Sequence, residues 1–421
     1  MRLLHTADLH LGKLLEGRQR YDEQEQVLAE IADIARREAV DLVLVAGDVF
    51  DTYNPSAHAQ ELFFTFLHQI SEGGQRPIVI IAGNHDQPQR LSAAAPLATA
   101  QNIYLIGLPE EELCVDKAQN TTFIDYKDNC LMIRLPRTGE EVAIVALPYI
   151  SETRLQELFL QDICDEEQQN ADYQQRLQQL LQKGADHFSP HKINIIMAHL
   201  LLIGGQPSQS ERPLGLALPK EHAEDGPKTV MVGGSFGLSP RIFPLQAQYI
   251  ALGHLHRPQS LCQKSACHYA GSPLAYSFSE AGQSKSVVIA DIEAGQMAAS
   301  RRVALTCGYP LHRVEASTYD QALAWCLDEQ NHHLWVNVTI HSEKSLPMED
   351  ITQLRKAHPR ILDIIPLLPQ AGQMANQAVV EDLPIEEKFC LFAAGKEGHQ
   401  PEPQLVEMFM RLLAEPEEEQ L

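Results

Sequence analysis

The sequence predicts an α/β protein with a largely parallel sheet flanked by helices, on three observations. Short apolar runs alternate with longer helical stretches from the N-terminus onward. Five of the apolar runs end in Asp, Asn or His. Open α/β sheets bring the loops past their strand ends to one crevice, so side chains far apart in sequence can meet there.

Taken in order, residues 2–6 read as a strand, 19–38 as a helix and 42–46 (Leu-Val-Leu-Val-Ala) as a second strand. Helix 58–70, strand 78–82 and helix 89–100 continue the alternation, with further strands expected at 142–147, 193–198, 249–252 and 287–292. The Gln- and Glu-rich stretch 152–183 reads as a solvated surface helix, with apolar Leu177, Leu180 and Leu181 toward its end. Residues 207–244, rich in Gly and Pro, read as a long loop near the site.

After about residue 301 strand 336–340, helix 351–357 and strand 361–368 outline a small α+β unit, and a Gly/Gln/Ala linker follows at 371–378. Beyond it Ile385, Phe389 and Phe392, then Leu405, Phe409, Leu412 and Leu413, recur at helical spacing. A tail this short cannot bury both stripes alone, so it is expected to dock on a partner. The expected division is 1–300, 301–370 and 371–421.

At 421 residues the chain exceeds one ordinary core, which agrees with two or three units. Its net charge of −23 disfavours nucleic acid as a partner, although an acidic chain can still carry a local basic stripe and bound cations offset carboxylates. Eight scattered cysteines, none in the paired spacing of a zinc site, read as reduced thiols of a cytoplasmic protein. The N-terminal residues meet charge too early for a signal peptide, and no run reaches the roughly 20 apolar residues of a membrane helix.

The five strand-end segments are Asp8-Leu9-His10, Gly47-Asp48-Val49-Phe50-Asp51, Gly83-Asn84-His85-Asp86, Ala198-His199 and Gly253-His254-Leu255-His256. Together they hold enough ligands for two divalent cations. Cations about 3.5–4 Å apart need a shared anionic ligand to screen their repulsion, and Asp48 is the best bridge. Asp8 and His10 can reach one ion, Asn84 offers a neutral oxygen, and His199, His254 and His256 add imidazole nitrogens. Oxygen and nitrogen donors without thiolate favour Mn²⁺ or Fe²⁺ and tolerate Zn²⁺. Such a pair suits phosphoester hydrolysis, with His85 as proton donor to the leaving oxygen. Any one segment alone is weak, since Gly-Asn-His-Asp is also a plain turn; their joint occurrence after strands points to a metal site.

In this order the segments resemble the signature of the calcineurin-like metallophosphoesterases. Leu4 to Gly12, Val45 to Asp51, Ala251 to Arg257, Tyr269-Ala270-Gly271-Ser272-Pro273, Ser277-Phe278-Ser279-Glu280 and Ser284-Lys285 look, within that superfamily, like the SbcD family of bacterial nuclease subunits. The likeness is strong over residues 1–290 and looser beyond. It implies a four-layer α/β/β/α sandwich with a small α+β capping domain and a C-terminal helical tail that docks on an SbcC-type ATPase. It also implies Asp8, His10, Asp48 and His256 on one Mn²⁺, Asp48, Asn84, His199 and His254 on the other, and His85 as the catalytic histidine. Asp51 stands where some relatives have a second catalytic histidine, which implies a role in orienting phosphate or neighbouring ligands. Stretch 214–231 looks longer than is usual in the family. Dimerisation would use helices after the second and third motifs, here including Leu62-Phe63-Phe64-Thr65-Phe66-Leu67.

The resulting expectation is a Mn²⁺-dependent nuclease on double-stranded and hairpin DNA, a homodimer within a heterotetramer, with no membrane. A small-substrate phosphodiesterase or phosphatase with the same metal core is the alternative, and a non-catalytic scaffold for an ATPase the third reading. Lys13, Arg18, Arg20, Arg90 and Arg257 lie near motif loops as candidate phosphate contacts, or as plain surface charges.

Overall fold

The structure, a computed structural model, describes residues 1–109, 111–113, 115–116, 120, 122–151, 166–208, 211, 231–232, 235–262, 266–342 and 345–367. The chain divides into two compact units, one of Met1–Ile340 with Met348–Ile365 and one of His341–Pro347 with Pro366–Leu421. In the second unit the described residues are only 341–342, 345–347 and 366–367. The expected linker and tail stripes, and residues 214–230, lie outside the described residues.

The first unit opens with strand β1 (Arg2–Thr6), helix α1 (Tyr21–Arg37), β2 (Leu42–Ala46), α2 (Ala57–Ser71), β3 (Ile78–Ile81) and β4 (Ile103–Ile106). It continues with β5 (Phe123–Lys127), β6 (Cys130–Arg134), β7 (Glu141–Leu147), a helix at Glu166–Ala185, β8 (Ile193–His199), β9 (Met231–Val232), β10 (Ser235–Phe236) and β11 (Tyr249–Gly253). Then come β12 (Gln259–Cys262), β13 (Ala266–Tyr269), β14 (Ser286–Asp291) and β15 (Ala299–Ala304).

Two sheets result. One has the order β15-β14-β1-β2-β3-β4, with β1 to β4 parallel; the other has the order β12-β13-β11-β8-β7-β6-β5, with β13, β11, β8 and β7 parallel. Side chains alternate across a strand, and the apolar runs use both faces. On β2, Leu42, Leu44 and Ala46 join Leu3, Val79, Ile81, Ile144 and Met197 in a core between the sheets. Val43 and Val45 turn the other way, against Ile31 of α1 and Phe63 and Phe66 of α2. On the far side Val145, Ile196 and Ile250 pack on Tyr173, Leu177, Leu180 and Leu181 of Glu166–Ala185. The layers therefore run α/β/β/α, the sandwich implied by the resemblance.

Two local expectations are corrected. Helix 89–100 is broken into Pro88–Ser92 and Ala95–Ala98 followed by a 3₁₀ turn, because Pro96 lacks the N–H that a continuous helix needs there. The described end of the 152–183 stretch is not a merely solvated helix: its four apolar side chains complete a core layer. In α2, Leu62, Phe63, Phe66 and Leu67 are buried, so the core accounts for most of that apolar run, and Phe64 alone of its aromatic residues is exposed.

The described part of the C-terminal region holds β16 (Leu311–Ala316), a helix at Tyr319–Leu327, β17 (Trp335–His341), a helix at Met348–Ala357 and β18 (Ile361–Leu367), with the strands in one three-stranded sheet. Buried Glu23 of α1 accepts hydrogen bonds from the Tyr309 N–H at 2.8 Å and from Trp335 Nε1 at 2.9 Å, and Glu30 accepts from the Thr306 and Cys307 N–H groups. Among the described residues no helix is long and apolar enough to cross a membrane.

Candidate metal centre

Each predicted site residue follows the carboxyl end of a parallel strand: Asp8 and His10 after β1, Asp48 and Asp51 after β2, Asn84 and His85 after β3, His199 at the end of β8, and His254 and His256 after β11. The first three strands belong to one sheet and the last two to the other, so the site forms where the two sheets' strand ends approach. The approach is close. A Cβ on Gly253 would stand 1.8 Å from the Ala46 oxygen, and one on Gly83 would stand 2.1 Å from Asp48 Oδ1, so no side chain fits at either position. Asp8, His10, Asp48 and His254 all adopt positive φ, a cost of order 1–3 kcal/mol per residue where sterics oppose it, which the surrounding structure must hold.

All nine predicted residues meet. Asp48 Oδ2 lies 3.5 Å from His10 Nε2 and 3.5 Å from His199 Nε2, between two groups of donors. On one side His10 Nε2 is 3.0 Å from His256 Nε2. On the other, Asn84 Oδ1 is 2.9 Å from His199 Nε2 and 3.1 Å from His254 Nδ1. Asp8 sits behind both, its Oδ1 accepting from the His254 N–H at 2.9 Å and standing 3.9 Å from His199 Nδ1. His85 stands at the mouth, its ring 4.9 Å from that of His10 and its Nδ1 2.9 Å from the Asp51 backbone oxygen. The Asp51 carboxylate pairs with Lys13 Nζ at 2.7 Å and lies 3.3 Å from His10 Nδ1.

Outer partners select which ring nitrogen faces inward. The Ala46 oxygen accepts from His199 Nδ1 at 2.9 Å, so that ring presents Nε2; the His10 ring also turns Nε2 toward Asp48, with its Nδ1 3.3 Å from an Asp51 carboxylate oxygen. Burial alone would raise the Asp48 carboxyl, but His199 and His10 hold it well below the usual carboxylate range. Burial likewise opposes charge on His199, yet Asp48 and Asp8 raise it to about 9. Burial lowers His10 to about 3; a cation bound beside Asp48 would have to displace the proton that His199 holds, since a ligating imidazole is neutral.

The donor set fits divalent cations. Asp8 Oδ2 is buried with no hydrogen-bond partner, the cost of which a cation would remove. Asp8, Asp48 and His199 form one group with ligand atoms within 4.8 Å of one another, and His10, Asp51 and His85 form another. All donors are oxygen or nitrogen, the mixture suited to Mn²⁺, Fe²⁺ or Zn²⁺.

Asp86 has a structural role that its place in the sequence does not announce. It is buried, and its two oxygens accept from the N–H groups of Val49, Phe50 and Gly83 at 2.9–3.0 Å, tying the β2 loop to the β3 loop. Its position directly after Asn84-His85 is the only signal, and that signal is shared with ordinary turns. Of the basic candidates, Arg20 is corrected: it is buried, bonded to Glu23 and to the Ala275 oxygen, and unavailable to phosphate. Arg18, Arg90 and Arg257 are exposed, and Lys13 is half-buried beside Asp51.

A family model described as calcineurin-like phosphoesterase matches residues 1–258. A Bacillus subtilis (strain 168) protein, described as the SbcD component of nuclease SbcCD, is 38% identical over 422 residues, covering 100% of this chain and 99% of that one. Proteins with the same description from Rhodobacter capsulatus (32% identical, 75% of this chain, 72% of that one) and Staphylococcus epidermidis (29%, 86% and 84%) also match.

Proposed function

The chain belongs to the calcineurin-like phosphoesterase family, among the SbcD components of SbcCD nucleases, and from that premise we propose a metal-dependent DNA nuclease that works with an SbcC-type ATPase. The observation that carries the reading is the single Asp48 oxygen equidistant from His10 and His199. Asp8, His10, Asp48 and His256 would hold one Mn²⁺, and Asp48, Asn84, His199 and His254 the second. Bound there, the pair supplies an activated water and neutralises charge on the phosphoryl group.

The chain's own residues supply the rest. His85, with Nδ1 committed to the Asp51 oxygen, keeps Nε2 for a proton or hydrogen bond to the leaving oxygen. Asp51, 3.3 Å from His10 Nδ1, keeps the Lys13 ammonium beside the cleft, where it can meet a phosphate oxygen.

The substrates in this reading are double-stranded ends, degraded 3′ to 5′, and hairpins, in the cytoplasmic processes of DNA repair, recombination and replication. Region 301–370 caps the site and contacts DNA, an idea supported by its anchoring to α1 through Glu23 and Glu30. Residues 371–421 dock on the ATPase. A homodimer within a heterotetramer is supported by exposed Phe64 and Leu97 on the helices after the second and third motifs.

The test is end-labelled duplex and hairpin DNA with Mn²⁺ and the full chain, with and without the ATPase. Metal-dependent release from 3′ ends and opening of hairpins supports the reading. No cleavage in either arm, with brisk hydrolysis of small phosphoesters, would make the chain a small-substrate hydrolase instead.

A further inference from the structure

The segments Gly271-Ser272-Pro273, Ser277-Phe278-Ser279-Glu280 and Ser284-Lys285 stand out in the sequence but supply no predicted ligand. In the structure they converge behind His256. Glu280 is fully buried, and its Oε1 is 3.4 Å from His256 Nδ1. Its other oxygen, Oε2, is 2.5 Å from Lys285 Nζ and 3.5 Å from Ser272 Oγ. Lys285 also donates to the His256 backbone oxygen at 3.0 Å and to Ser272 Oγ at 2.9 Å, so one ammonium grips both the histidine's main chain and the carboxylate facing its ring.

A second carboxylate stands nearby and does different work. Glu211 Oε1 accepts from the His256 backbone N–H and lies 3.9 Å from its Nδ1. Glu211 therefore fixes the loop, whereas the ring nitrogen has its shorter contact with Glu280.

An imidazole whose Nδ1–H donates to a carboxylate has a lone pair on Nε2 and a fixed ring plane, and such outer partners typically contribute 10–100-fold to metal affinity. We propose that Glu280, braced by Lys285 and Ser272, is the positioning residue that fixes the tautomer and ring plane of His256 so that Nε2 faces the cation shared with His10. The inference rests on the two-cation reading of the site. It predicts an asymmetric effect: on the other side His199 is oriented by the Ala46 oxygen and the His254 main chain by Asp8, so one cation should weaken and not both.

The experiment is Mn²⁺ titration of the metal-free full chain by calorimetry, with electron paramagnetic resonance of the spin-coupled ion pair, for the wild type, Glu280→Ala and Glu280→Gln. Glu280→Gln keeps an oxygen acceptor for Nδ1–H. Expected are two tight sites in the wild type, loss of about 10–100-fold affinity at one site with loss of the coupled signal in Glu280→Ala, and recovery to within a few-fold in Glu280→Gln. Two wild-type-like sites and an intact coupled signal in Glu280→Ala would overturn the proposal, as would equal losses in Ala and Gln variants that unfold like the wild type. If Glu280→Ala fails to fold, Lys285→Met decides: it leaves Glu280 unbraced and should weaken the same single site, and an unchanged titration counts against the proposal. A wild type that binds no Mn²⁺ would instead overturn the two-cation reading itself.

Discussion

The main-chain N–H of His85 donates to Asp48 Oδ1 at 2.9 Å, so Oδ2 is the oxygen turned toward His10 and His199. The hold on Asp48 is made by backbone, and the His85 ring, anchored to the Asp51 oxygen through Nδ1, keeps Nε2 for other work. His85→Ala should therefore keep both cations while kcat falls by about 10²–10⁴-fold, the range for loss of a positioned proton donor. Steady-state rates on a DNA hairpin, paired with metal content, check this; equal loss of metal and rate would assign His85 to the metal shell.

Asp86→Ala removes the acceptor of three buried N–H groups in the loops carrying Asp48 and Asn84. Each unsatisfied buried donor costs roughly 1–3 kcal/mol. A loss of at least about 3 kcal/mol in denaturant unfolding of the metal-free chain is expected, together with weaker Mn²⁺ binding. An unfolding midpoint equal to wild type would remove Asp86 from this role.

His5 lies in the core between the sheets, 3.1 Å from the Tyr249 hydroxyl, and burial with the adjacent His268 lowers it to about 3. The unfolded chain, with His near 6.5, then binds the extra proton between pH 6.5 and 3, so stability falls as pH drops through that window. Relative to His5→Gln, the wild type should lose about 2 kcal/mol between pH 7 and pH 5. Parallel pH–stability curves for the two proteins would contradict it.

Glu23 joins α1 to the C-terminal α+β region through Trp335 and Tyr309. Glu23→Ala leaves Arg20 buried without its carboxylate and should cost about 3–5 kcal/mol. The chain has two tryptophans, so a red-shifted emission confined to the variant reports release of Trp335. Unchanged emission would mean that the region is held by other contacts.

The central strands were legible because β2, β3, β7, β8 and β11 are buried on both faces and read as nearly unbroken apolar runs. Strand β15 was not, since Ala299–Ala304 is largely exposed and carries two arginines. Strands β5, β12 and β13 are short and sit at or near an edge, where the pattern is weakest. The candidate ligands were legible because their types and their places after strands coincide. Asp86 and Glu280 were not, because a carboxylate that accepts buried N–H groups or faces a buried ring looks, in sequence, like one facing water. Arg20 misled for the same reason in reverse: its buried pairing with Glu23 depends on a packing partner, the Ala275 loop, more than 250 residues away.

Two-metal chemistry at this site requires Mn²⁺ on either side of Asp48. Anomalous diffraction at the manganese edge from crystals grown with Mn²⁺ should give two peaks flanking Asp48 Oδ2, one within ligand distance of His10 and His256, the other within ligand distance of Asn84, His199 and His254. A single peak, or none beside an Asp48 in this conformation, would contradict it.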